Sequence, residues 1–123
     1  MEASKEPESI FREQRAAKNQ SLFREVNERI EPLNQTFSLV NRLNDFICEC
    51  ANESCAELVA LTVDEYESVR NVPNHFLVAP AEEHVWVDVE RIVEERDRYW
   101  IVAKLGVGGS IAAKLDPRER KPA

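Results

Sequence analysis

An α+β fold is what the sequence predicts: a long N-terminal helix, kinked or broken near Pro32, then a small antiparallel sheet carrying one short helix. Two observations on pattern lead there. From Ser9 to Leu43 the chain contains no glycine and is rich in Glu, Arg, Gln, Ala and Leu, with apolar residues at helical spacing. Beyond Asp45 the pattern shifts to short runs of β-branched and aromatic residues separated by prolines and polar turns. A third observation, the crowding of all three cysteines into FICECANESC (46–55), says how so small a unit is held together.

In the first helix, Phe23, Val26, Ile30, Leu33, Phe37 and Val40 recur at alternating spacings of three and four, a heptad seam that needs burial. Two homes for it are open. It packs on the rest of the same chain, or it meets a protein partner, including a second copy in a helical hairpin or coiled-coil dimer. Asn19, one step earlier in the same register, would help fix alignment in such a pairing. Pro32 has no N–H for the carbonyl of Glu28, so the helix is expected to reach about residue 31 and resume as a second segment to about Asn44.

Downstream, FICEC and AELVAL read as strands. Thr62 and Glu65 form a capping box opening the helix VDEYESVRN, which Pro73 ends. HFLVA is the next strand, and VWVDVERIVEE and RYWIVAKL form a hairpin around ERDR. Val63, Tyr66 and Val69 give the short helix its core face, with a surface or structural role for Arg70. Trp86 and Trp100 are expected on adjacent strands as a cross-strand pair. All three glycines fall in GVGG (106–109), which matches neither a dinucleotide fingerprint nor a phosphate loop and reads as a connector to a loose tail.

At 123 residues the chain suits one domain, or one small domain with an appendage. Residues 47–105 carry five basic against thirteen acidic side chains, a field that repels phosphate backbones. Nucleic acid is therefore not an expected partner, although Arg12, Arg15 and Lys18 on the helix are the residues that would touch phosphate. No apolar run reaches the length of a membrane span, and MEASKEPESIF lacks the basic and apolar regions of a signal peptide. A cytoplasmic chain with no membrane partner is expected.

In a reducing compartment a tight cysteine cluster points to metal binding or reactivity, and the odd count leaves one thiol over in any disulfide scheme. If FICEC is extended, Cys48 and Cys50 share a face, and ANES is long enough for Cys55 to curl back to them. Three thiolates converging on one point suit tetrahedral zinc. His84, in the loop PAEEHVW, is the first choice for fourth ligand and His75 the second; Glu49, Glu53 or a water are weaker ones. Three other readings compete. Buried apolar cysteines sit badly beside Glu49, Asn52, Glu53 and Ser54. A redox switch through Cys50 and Cys55 is opposed by neighbouring carboxylates, which raise a thiol's pKa. A catalytic zinc with an open position needs an acid or base, for which Glu49 and Glu53 qualify only by proximity. No catalytic residue is assigned. The resulting division is a disordered N-terminus (1–8), a helical arm (9–44), a small zinc-binding α+β domain (45–105) and a flexible tail (106–123).

LFREVNERIEPLN, then FICECANESC, then LTVDEYESVRNVPNHFLVAP and EEHVWVDVERIVEERDRYWIVAKL resembles, over roughly residues 15–105, a family of small uncharacterised actinobacterial proteins. The resemblance implies no established activity. It places Cys48, Cys50, Cys55 and His84 on the family's ligand positions. Relatives usually read Pro-Gly-His where this chain reads PAEEH, a longer loop without glycine, which bears on how far His84 must reach. The expected function is a bacterial zinc-stabilised interaction or regulatory module, its metal structural and its helical arm used for self-association or partner binding. The alternatives are a thiol-based redox sensor or a small zinc enzyme with an open coordination position.

Overall fold

In a computed structural model of the chain, residues 7–37, 43–52 and 54–118 are described, with side chains described from 13 to 36 in the first helix. The element order is α1 (Pro7–Phe37), β1 (Asn44–Ile47), β2 (Leu58–Leu61), α2 (Val63–Arg70), β3 (His75–Val78), a 3₁₀ turn (Glu82–His84), β4 (Glu90–Glu95), β5 (Trp100–Lys104) and α3 (Gly106–Leu115). β1 and β2 form an antiparallel pair, and a second antiparallel sheet has the order β3-β5-β4. The fold is α+β.

Proline suits the first turn of a helix, where its missing N–H leaves no bond unmade, and Pro7 opens α1. The helix also runs on through Pro32 to Phe37, so the interruption there is not a break. Pro32 is exposed, and the turns after it are tied down by Gln35 Nε2 donating to Glu31 (2.8 Å) and Asn34 Nδ2 donating to the carbonyl of Asp45 (3.2 Å). The expected second segment to Asn44 is corrected at its end, because Asn44 already belongs to β1. Residues 38–42, including Val40, lie outside the described residues.

The face that α1 buries is mostly polar. Ala16 and Ala17 are buried, but so are Gln20, Ser21, Arg24, Asn27 and Glu31. The apolar seam points elsewhere: Phe23, Val26 and Ile30 are half-buried, and Leu22 and Leu33 are 59% and 62% exposed. Asn19 is not free to set register with a partner helix, since its Nδ2 donates to the carbonyl of Ala51 (3.1 Å).

The flexible tail expected from GVGG is a correction. Gly106, at φ 58°, adopts the left-handed conformation that turns the chain out of β5. At Gly108 a Cβ would lie 3.9 Å from Cβ of Ala17 and 3.3 Å from Cε of Lys104, so glycine lets α3 approach α1 closely. Residues 106–118 are thus an integral part of the fold, with Ala112 and Asp116 buried; 119–123 lie outside the described residues. The tryptophan pair is also corrected. Residues 86–90 form a turn in which Trp86 N–H donates to the Glu90 carboxylate (2.9 Å), so β4 begins after Trp86. Trp86 packs against Ala16, Ala51 and Val89, while Trp100 packs on the main core.

That core gathers Phe46, Val59, Leu61, Tyr66, Val69, Phe76, Leu77, Val102 and their neighbours, with the Phe46 and Tyr66 rings stacked at 4.5 Å. Thr62 and Glu65 cap α2 reciprocally, as the sequence suggests. Beside the apolar core lies an ionic one. Arg70 pairs with Asp116 and with Glu28 (3.2 Å), Tyr66 OH donates to Glu28 (2.6 Å), and Arg118 bridges Glu28 and Glu67 (2.8 Å each). Arg24 donates to the carbonyls of Pro73 (2.6 Å) and Ala112 (2.7 Å) and covers the Phe76 ring at 4.4 Å. Burial alone would raise the Glu28 carboxyl, but hydrogen bonds from Arg118 and Tyr66 and the Arg70 charge hold it at about 2.

Removing one member of such a buried group strands its partners. Glu28→Gln is expected to cost about 3 kcal/mol at neutral pH. A depressed carboxyl stabilises the fold fully above its unfolded value of 4.5 and loses that contribution as pH falls toward about 2. Urea unfolding across that window should show wild-type stability falling with pH and a flatter profile for Glu28→Gln.

Candidate metal centre

The backbone hydrogen bonding of β1 continues past its last residue. Cys48 N–H donates to the carbonyl of Glu57 (2.9 Å) and Glu49 N–H to that of Leu77 (2.8 Å), which ties the stretch to β2's approach and to β3. Side chains alternate along it. Cys48 and Cys50 are both buried on one side. Glu49 points the other way, accepting from Asn27 Nδ2 (2.8 Å) and Leu77 N–H (3.1 Å), so it is not a ligand. Burial pushes its carboxyl up to about 7 despite those bonds. Glu53 lies outside the described residues.

Asn52 turns the chain back. Its side-chain oxygen accepts from Ser54 N–H (3.0 Å) and its carbonyl from Cys55 N–H (3.0 Å), which carries Cys55 round to the two buried sulfurs. His84 closes the group from the 3₁₀ turn, itself held by His84 N–H to Ala81 (3.1 Å) and Val85 N–H to Glu82 (3.0 Å). Nδ1 of His84 is 3.6 Å from Sγ of Cys48 and 3.8 Å from Sγ of Cys55. One donor atom from each of Cys48, Cys50, Cys55 and His84 lies within 4.8 Å of all the others. An ion at ~2.3 Å from sulfur and ~2.0–2.1 Å from nitrogen spreads tetrahedral donors about 3.5–3.8 Å apart. The four residues are therefore close enough to bind one metal ion, and the longer loop before His84 does not prevent its reach.

Two outer contacts fit the same reading. Nε2 of His84, the nitrogen turned away from the sulfurs, is 2.6 Å from a carboxylate oxygen of Glu57. A carboxylate there fixes the proton on Nε2 and leaves the Nδ1 lone pair facing the sulfurs. Ala79 N–H donates to Sγ of Cys48 (3.2 Å), a bond that favours thiolate. Sequence reasoning missed both. Glu57 had a signal, standing two residues after Cys55 and so able to share its side of an extended chain; the Ala79 amide had none.

The electrostatics show strain between the donors. Contact with Cys50 and burial push the Cys48 thiol up, and the hydrogen bond from Cys48 draws Cys50 down to about 5. Burial raises Cys55. At His84 burial works against the charged form, but hydrogen bonding to Cys50 and the Glu57 charge outweigh it. Crowding of like charge thus opposes ionising all three sulfurs together, an opposition that a dication would offset.

No family model, curated protein or solved structure matches this chain. The chemistry of the site rests on its own geometry.

Other sequence candidates fall elsewhere. His75 starts β3, where burial and the Arg91 charge lower its pKa; it lines an outer cleft of about 360 Å³ with Asp64, Ser68, Glu94 and Tyr99, away from the cysteines. Arg70 is structural, in the ionic core. Among the described residues no helix is long and apolar enough to cross a membrane.

Glu57→Gln is expected to weaken divalent-metal affinity by roughly 10–100-fold. His84→Ala should weaken it further, and His75→Ala should leave it unchanged. Competition with a chromogenic chelator measures all three.

Proposed function

We propose that the chain is a zinc-stabilised protein-interaction or regulatory module whose ion is structural. The observation that carries this reading is the convergence of three cysteine sulfurs and one imidazole nitrogen, all from the protein, within 4.8 Å. Three thiolates with one imidazole suit zinc among the common divalent ions, and four protein donors fill a tetrahedral sphere, as structural sites require. A catalytic site keeps a position for water, so the saturated donor set favours the structural role over the open-site enzyme. Such an ion would fasten the β1–β2 pair to the loop before β4, two parts that share no sheet. Reduced thiols of this kind fit the cytoplasm, and the motif order fits the bacterial family it resembles.

The interaction role is supported by the helix. α1 buries Arg24, Asn27 and Gln20 and turns its leucines, Leu22 and Leu33, outward, the reverse of an ordinary surface helix. A seam of Phe23, Val26, Ile30 and Leu33, continued in sequence by Phe37 and Val40, offers an apolar edge to a protein partner or to a second copy. The side chain of Phe37 and all of Val40 lie outside the described residues.

Zinc removal tests the first half. Excess chelator should lower the thermal midpoint sharply and zinc should restore it; an unchanged melt with the metal gone would rule out a structural ion. For the second half, Ile30→Glu with Leu33→Glu should abolish self-association in sedimentation, or partner capture by the purified chain, without changing zinc content.

A further inference from the structure

The four donors are not equally sheltered. Cys48 and Cys50 are fully buried, whereas Cys55 is half-buried between exposed Ser54 and exposed Ala56 and Glu57. Cys55 and Cys50 close the loop turned by Asn52, and their sulfurs lie within 4.8 Å of each other. Cys48 is anchored differently, by the Ala79 N–H on its sulfur and by its place in the backbone bonding to Glu57. Cys55 is the least sheltered of the three cysteines, Cys50 stands beside it at the other end of a short loop, and both belong to the same donor group.

We infer that the site is also a peroxide-responsive release switch, in which oxidation of Cys55 and its bridging to Cys50 eject the ion. The inference rests on the zinc reading above. The Cys55 thiolate attacks the distal oxygen of a hydroperoxide; the O–O bond breaks, hydroxide or alkoxide leaves, and a sulfenic acid forms on Cys55. The Cys50 thiolate then attacks the Cys55 sulfur, the S–O bond breaks and a second hydroxide leaves. Two thiolates have lost two electrons and the peroxide has gained them. The sulfurs, within 4.8 Å of each other, must close to a bond of about 2.05 Å. Two of the four ligands are thereby withdrawn. Cys48 and His84 alone cannot complete a tetrahedral site, and zinc leaves.

The carboxylates nearby slow thiol chemistry, and they act on the rate rather than on the outcome. Glu57, which with Glu83 is an exposed carboxylate beside His84, is paired with His84 Nε2 and so is directed at the imidazole.

The test uses the full chain loaded with zinc and treated with hydrogen peroxide, with a chromogenic chelator reporting free zinc and peptide mapping reporting thiol state. The expected result is zinc release at least about tenfold faster than in buffer, one Cys50–Cys55 linked peptide with Cys48 reduced, and recovery of zinc binding after thiol reduction. Release should rise with peroxide concentration and fall to the buffer rate when catalase is added first; release that catalase does not stop would also overturn the switch. Zinc retained by the wild-type chain, a bridge that omits Cys55, or sulfinic acid without a bridge would each overturn the switch while leaving the structural site standing. A chain that carries no zinc before peroxide is added overturns the underlying reading as well.

Discussion

Three sulfurs held with an imidazole nitrogen within 4.8 Å repel one another as thiolates, and a cation among them would offset that repulsion. The rest of the head is arranged around that point. β1 ends just before it, the Asn52 turn wraps it, and the 3₁₀ turn brings His84 in from a segment about thirty residues later. With the β1–β2 pair in one sheet and β3-β5-β4 in another, the donor group joins the connection between β1 and β2 to the turn between β3 and β4, beside the bond from Glu49 N–H to Leu77. A core of this size gains most from a cross-link between parts distant in sequence.

The other constraint is ionic. α1 is held down by Arg24, Asn27 and Glu28 more than by leucines, and its bonds run to every layer of the fold: Pro73 before β3, Ala112 on α3, Ile47 at the end of β1 and Tyr66 on α2. Buried charge of this kind is weak evidence for stability and stronger evidence for a fixed arrangement, because each group has few alternative partners. It fixes which helix face points inward. The apolar seam, half-buried at Phe23, Val26 and Ile30 and exposed at Leu33, is then a consequence of the ionic core.

What could be read in the sequence divides along physical lines. The period-3.6 pattern located α1, the Thr62–Glu65 box located α2 to within a residue, and β-branched runs located β3 and β5, because each of these is a local signal. The grouping of Cys48, Cys50, Cys55 and His84 was legible because cysteines are rare and here lie in one stretch, with two histidines to choose between. α1's buried face was hard to read for a non-local reason: hydrophobic patterning assumes that carbon turns inward, and here Glu28, Arg70 and Asp116 find one another inside while Arg24 finds backbone carbonyls. GVGG misled for the opposite reason, since its glycines serve a helix start and a close helix contact, not flexibility.

The most direct measurement is X-ray absorption at the zinc edge on chain purified with its metal. The account predicts one zinc per chain with three sulfur neighbours at about 2.3 Å and one imidazole nitrogen at about 2.0–2.1 Å. A shell dominated by oxygen, or one with fewer than three sulfurs, contradicts it.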